Sequence, residues 1–264
     1  MSLRKRLFFV IATAVVAALA YSSVAAGQAF YPLPTPDASC PPGQNTIFGT
    51  DGNDVRTGTA LNDIMFAGEG DDVFEGESGD DCLIMGLGTD NASGGGGDDR
   101  LIGEGGNDRL SGNDGDDRIS GQDGDDRING ADDNDRISGG LDDDRIRGGN
   151  GRDNASGGSG KDSLSMGGAA DRGSGGPGAD AVRGGPQDDR VSGGGGNDRV
   201  QGDSGNDRVS GRGGRDTLIG GTGRDRMIAR GGGADTVDCG RGRDVAIVDS
   251  SDTVASNCEI IRVG

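Results

Sequence analysis

Aspartate returns at every ninth residue through most of the chain. The positions are Asp54, Asp63, Asp72, Asp81, Asp90, Asp99, Asp108, Asp117, Asp126, Asp135, Asp144, Asp153, Asp162, Asp171, Asp180, Asp189, Asp198, Asp207, Asp216 and Asp225, 20 in succession with no insertion. A carboxylate is a hard oxygen donor. One carboxylate per short glycine-rich repeat, with backbone carbonyls beside it, is ligand chemistry for Ca²⁺, which takes roughly six to eight oxygens. Paired acids could also serve glycoside hydrolysis, but that chemistry needs one site, whereas these residues recur as evenly as ligands in an array. The chain has no His, which excludes a Ser–His–Asp triad and an HExxH zinc site. No DxDxDG loop with a Glu at its twelfth place occurs either, so EF-hands are excluded. The expectation is a cation-binding protein and not an enzyme.

The elements that must hold these carboxylates are written in the same period. Gly103–Asn129 reads GEGGNDRLS, GNDGDDRIS, GQDGDDRIN, one nine-residue phrase repeated three times. Counting from Gly49, Gly stands at place 1 in 17 of the 20 repeats and at place 4 in 15. Place 4 departs at Leu61, Asp133, Asp142, Ala169 and Gln187. Place 8 is aliphatic, Met or Phe in 16 repeats, as at Phe74, Leu101, Ile119 and Val200. The rest of the composition argues against a thick core: 57 Gly in 264 residues, 30% hydrophobic, 3% aromatic and a net charge of −19. Such a chain without a repeat would be expected to be disordered. That charge also argues against nucleic acid as a partner and for a cation, because uncompensated carboxylates oppose compaction.

The phrase resembles the GGxGxDxUx nonapeptide of RTX (hemolysin-type) calcium-binding repeats, and it does so over residues 49–228. The chain as a whole is similar to small secreted bacterial calcium-binding proteins of that class. The resemblance implies an all-β, right-handed parallel β-roll in which places 1–6 form a Ca²⁺-binding turn and places 7–9 a short strand. Two nonamers then make one 18-residue coil, about ten coils in all. It implies several Ca²⁺ ions, held by the place-6 Asp carboxylates and by carbonyls of the glycine turns. Gly at places 1 and 4 suits such a turn, by allowing positive φ and close backbone approach.

A second period supports the two-nonamer coil. Place 7 carries Arg100, Arg118, Arg136, Arg172, Arg190, Arg208 and Arg226 on one 18-residue ladder, interrupted only by Asn154, while the other ladder holds Arg109, Arg127, Arg145 and Arg199. Ser120, Ser138, Ser156, Ser174, Ser192 and Ser210 repeat at place 9 beside the longer ladder. The two faces of a roll are thereby distinguished. An Arg/Ser face keeps a repeat protein soluble, and it could also dock an anionic cell-surface or matrix polymer, as an adhesin would. From Asp153 to Val182 the pattern weakens, with Ala155 and Gly173 at place 8, and thinner packing and poorer sites are expected there. Arg56 at place 8 of the first repeat suggests a frayed or capped start.

The ends differ from the array. Residues 1–26 have the form of a secretory signal: Arg4, Lys5 and Arg6, an apolar run from Leu7 to Ala20, then Val24-Ala25-Ala26 as an exit. The same stretch could span a bilayer uncleaved, but Tyr21, Ser22 and Ser23 break the run and favour cleavage, hence a secreted, extracellular protein with no later membrane span. Residues 27–48 form a Pro-rich linker and N-terminal cap, and 229–264, after a one-residue slip at Gly231-Gly232-Gly233, a C-terminal cap closing the solenoid. Ten coils stacked at about 4.8 Å make a rod of roughly 45–50 Å. Disulfide partners must lie within about 7 Å, so the expected pairs are Cys40–Cys82 at one end and Cys239–Cys258 at the other. The core is thin enough that folding is expected to depend on Ca²⁺.

Overall fold

The computed structural model describes Cys40 and residues 45–264. The expected signal segment and most of the expected linker lie outside these residues. The described chain contains 25 strands. In order these are β1 (Asn45–Phe48), β2 (Val55–Thr57), β3 (Asp63–Glu69), β4 (Val73–Ser78), β5 (Cys82–Leu87), β6 (Asn91–Gly96), β7 (Arg100–Gly105) and β8 (Arg109–Asp114). Next come β9 (Arg118–Asp123), β10 (Arg127–Asp132), β11 (Arg136–Leu141), β12 (Arg145–Asn150), β13 (Asn154–Ser159), β14 (Ser163–Gly168), β15 (Arg172–Pro177), β16 (Ala181–Pro186) and β17 (Arg190–Gly195). The last are β18 (Arg199–Ser204), β19 (Arg208–Gly213), β20 (Thr217–Gly223), β21 (Arg226–Ala229), β22 (Thr236–Gly242), β23 (Val245–Val248), β24 (Thr253–Val254) and β25 (Ile260–Val263).

Odd-numbered strands form one 13-stranded parallel sheet and even-numbered strands a second of 12, each strand paired with the one a full coil away. The register is the expected 18 residues: Arg118 lies opposite Arg136, Ile119 opposite Ile137, Ser120 opposite Ser138. The chain is a parallel β-solenoid. It has about two turns more than the expected ten, because the stack does not stop at Ile228. Strands β22 to β25 continue both sheets across the slip, with Thr217 opposite Thr236 and Val245 opposite Ile260.

Strands are longer than the three residues expected. A typical one runs six residues, from place 7 through place 3 of the next phrase, with burial alternating between exposed or part-buried and buried positions. The alternation follows from the pleat. Place 8 points inward, so Leu101, Leu110, Ile119, Ile128 and Val200 from both sheets meet in one continuous core column. Place 1 points inward as well. Where Met166 occupies place 1, its side chain reaches the space that Gly173 leaves, and a Cβ on Gly173 would sit 3.0 Å from the Met166 sulfur. The weak middle of the array is thus filled from the opposite sheet.

Both expected disulfides are present, Cys40–Cys82 and Cys239–Cys258. The first belongs to an outer apolar cluster that was not anticipated. Phe66, Ile84 and Ile102 stand at place 9, where Ser is usual, and with Ile64 they pack around Cys82 on the outside of the odd sheet.

Candidate calcium sites

Every place-6 Asp is buried, with Asp81, Asp108 and Asp117 at 0% exposure. Two backbone features put them there. The place-4 residue adopts positive φ, as at Gly97 (125°) and Gly106 (125°), and turns the chain sharply inward. The non-glycine residues Asp133 (72°), Asp142 (69°) and Gln187 (81°) adopt the same conformation, so these departures keep the turn. Place 1 works differently from expectation. Gly94, Gly103 and Gly112 do not need positive φ; a Cβ on each would collide with the Oδ2 of Asp99, Asp108 and Asp117 respectively. Place-1 glycine makes room for the carboxylate, and the second left-handed position is place 2, held by Glu104 (73°), Asn113 (79°) and Gln122 (81°) among others.

The two oxygens of each carboxylate have different fates. Oδ1 accepts a hydrogen bond from the backbone N–H of the Asp one coil earlier: Asp99 N–H donates to Asp117 Oδ1 at 2.8 Å, Asp108 N–H to Asp126 Oδ1 at 2.8 Å. This repeats along both columns and crosses the slip, where Asp216 N–H donates to Asp235 Oδ1 and Asp225 N–H to Asp244 Oδ1, both at 2.8 Å. Oδ2 is buried without a hydrogen-bond partner in every place-6 Asp from Asp72 to Asp225, and again in Asp235 and Asp244. At the start of the stack, Asp54 and Asp63 differ. Their Oδ2 atoms accept the Thr50 and Thr59 N–H groups at 2.6 Å each.

A second column, missed in the sequence, runs outside the first. The place-5 side chain accepts the N–H of the place-5 residue one coil later, as Asp98 Oδ1 does from Asp116 (3.0 Å) and Asn107 Oδ1 from Asp125 (3.1 Å). The bonds run in the opposite direction to those of place 6. Asp and Asn serve interchangeably at place 5, so this column needs an acceptor and not a charge. The signal was visible as Asp or Asn at place 5 in most repeats. It lapses singly at Thr89, at Arg215 and Arg224, and over four successive repeats at Arg152, Lys161, Ala170 and Ala179, so the weak middle is its longest gap. Asp235 and Asp244, left out of the expected set, join the buried column although the nine-residue count breaks before them.

From Asp72 onward, burial makes these carboxylates resist ionisation. It pushes Asp99 and Asp135 up to about 8, and Asp81, Asp117 and Asp126 to about 7. The backbone N–H donor to Oδ1 opposes the rise, and neighbouring carboxylates add to it. An isolated buried anion costs several kcal/mol, so a column of them requires protons or a cation. The donor set fits a hard cation. Beside Gly103, the Asp108 Oδ2 and the Gly121 carbonyl oxygen of the next coil close on the same space. Among the described residues no three acidic, His or Cys side chains gather at one point, so carbonyls must complete any shell. That is an all-oxygen environment, suited to Ca²⁺ and not to thiol- or imidazole-seeking metals.

The sequence matches the RTX calcium-binding nonapeptide repeat (four copies) over residues 42–55 and, in overlapping segments, 57–246, most of the chain. The chain belongs to that family. Its repeats are calcium-binding repeats, and the buried Asp columns are where the nine-residue period places the acidic side chains in this RTX protein. No curated protein matches the chain. Among the described residues no helix is long and apolar enough to cross a membrane.

Proposed function

We propose that this RTX protein is exported with little stable structure and folds on binding Ca²⁺ outside the cell, the place-6 carboxylates and turn carbonyls supplying the ligands. The column of buried, unpartnered Oδ2 atoms carries this reading. Each ion that binds only the folded chain stabilises it by RT ln(1 + [Ca²⁺]/Kd). At about 1 mM Ca²⁺ and a Kd of roughly 0.1–1 mM this is about 0.4–1.4 kcal/mol per ion. Over some 18 ions the sum is about 7–25 kcal/mol, as large as a typical domain stability or larger. In a low-Ca²⁺ cytosol the stack lacks that contribution. The disulfides and the secretory form of residues 1–26 support an oxidising, extracellular destination. We read the role as ion binding, because one oxygen-lined environment recurs along the stack.

Circular dichroism at neutral pH in EDTA, followed by Ca²⁺ titration, tests the proposal. The β signal is expected to grow cooperatively with Ca²⁺. A β spectrum indifferent to EDTA overturns it, as does a calorimetric stoichiometry well under about ten ions per chain.

A further inference from the structure

The chain is acidic, yet one stretch of its surface is not. Strands β11, β13, β15, β17, β19 and β21 of the odd sheet carry six Arg and no Asp or Glu. Their outward places hold the long Arg ladder at place 7, Ser at place 9 and mostly Gly at place 2. Parallel in-register pairing sets Arg172 opposite Arg190 and Arg190 opposite Arg208, one strand spacing of about 4.8 Å apart. Like charges placed directly opposite oppose sheet formation. Little in the fold relieves them: among the described residues no carboxylate lies within ion-pair distance of Arg118, Arg136, Arg172, Arg190 or Arg208, although the Asp116 carboxylate in the turn beside the ladder acts on Arg118 and Arg136 from farther away. On the even sheet Arg109, Arg127 and Arg145 also stand opposite one another, but strands β8 and β10 carry Asp114 and Asp132 as well, and farther along Arg183 is paired with Asp203.

Two open grooves of about 270 and 210 Å³ lie along this same ladder. One is lined by Arg172, Arg190 and Arg208 with their serines, the other by Arg118 and Arg136 with theirs, and both include Asn154. Asn154 is the short neutral side chain that interrupts the ladder, and there the grooves meet. Together they form one shallow trough along the solenoid axis, about 29 Å long over six strand spacings from β7 to β19, acid-free from β11 onward and bearing Glu104 and Asp123 on its first two strands.

We infer that this trough binds a linear acidic glycan, its sulfate or carboxylate groups on the Arg column and its hydroxyls on the Ser column. An extended sugar chain advances per ring by a step comparable to the strand spacing, so successive anions meet successive guanidinium groups. Arg supplies planar, bidentate recognition of such anions. No aromatic residue stands in these strands, and single-stranded nucleic acids are held largely by stacking on aromatic side chains.

The test is calorimetric titration of the calcium-loaded protein with a heparin decasaccharide, a neutral dextran of equal length and a single-stranded thymidine decanucleotide. The decasaccharide is expected to bind at about 50 mM salt and at least about tenfold more weakly at about 200 mM. Dextran should not bind, and the decanucleotide should bind at least about tenfold more weakly than the glycan. Changing Arg172, Arg190 and Arg208 together to Ser should lower glycan affinity at least about tenfold, and changing Arg109, Arg127 and Arg145 together to Ser less than about twofold. Ser163 already occupies place 7, so both variants should keep the fold, which dichroism in Ca²⁺ checks; a triple variant that fails this check is replaced by Arg190→Ser alone. Equal losses on the two sheets, tighter binding of the nucleotide, or no glycan binding at low salt overturns the inference. A failure of the calcium reading would look different, as a protein that does not gain β structure in Ca²⁺.

Discussion

Gly112→Ala should break the stack locally, and Gly96→Ala should not. Both glycines lie in strands of the even sheet, and neither has positive φ. They differ in what a methyl group would meet. At Gly112 the added Cβ would overlap the Asp117 carboxylate and sit 2.9 Å from the Gly130 carbonyl oxygen, whereas at Gly96 it meets nothing within 4 Å. The Asp117 carboxylate must swing away and lose the 2.8 Å hydrogen bond from Asp99 N–H. A hydrogen bond to a charged group contributes about 1.5–3 kcal/mol, and leaving its buried donor unmet costs about 1–3 more, so Gly112→Ala should cost about 2.5–6 kcal/mol. Gly96→Ala should lie within about 0.5 kcal/mol of the parent. Urea unfolding at fixed Ca²⁺ measures the difference, and Ca²⁺ stoichiometry should fall by one or two ions for Gly112→Ala only. Equal midpoints for the two variants would refute the view that place-1 glycine exists to admit the carboxylate.

Other outcomes follow from the same geometry. In EDTA the stack should depend on pH with an unusual sign. The folded-state values of Asp99 and Asp135 (about 8) and of Asp81 and Asp117 (about 7) lie above the ordinary 3.8. The metal-free fold is therefore most stable near pH 4 and loses stability as the pH rises through 6 to 8. A carboxyl whose pKa in the folded chain is tenfold weaker in acidity than in the unfolded chain contributes about 1.4 kcal/mol to this dependence. The β structure in EDTA should accordingly be present at about pH 5 and lost by about pH 8, while saturating Ca²⁺ removes most of the dependence; identical EDTA spectra at both pH values would contradict it. Asp117→Asn should keep an Oδ1 acceptor yet lower Ca²⁺ stoichiometry, whereas Asp116→Asn should leave it unchanged, because Asn107 and Asn134 already serve at place 5; calorimetry distinguishes them. Met166→Ala should empty the space facing Gly173 and cost about 2–5 kcal/mol in thermal or urea unfolding.

The nine-residue period by itself determined the repeating unit, the place-8 core, the register of the buried Asp and, through the Arg and Ser ladders, the 18-residue coil. Those features depend on which residues share a face, and in a solenoid position along the chain maps directly onto position along the axis. The cysteine pairing was legible for the same reason, since distance along such a rod follows distance along the sequence. What the tertiary structure decided concerns partners one coil away. Only the stacked backbone shows that Asp117 reaches back to Asp99 while Asp98 reaches forward to Asp116, so that one acid is buried with a spare oxygen and its neighbour pins the turn. Likewise Gly103 and Gly106 look alike in the phrase, but one clears space for a carboxylate and the other turns the chain. Asp235 and Asp244 escaped the count because three glycines absorb the slip, and hydrogen bonding across coils responds to position in space and not to residue number.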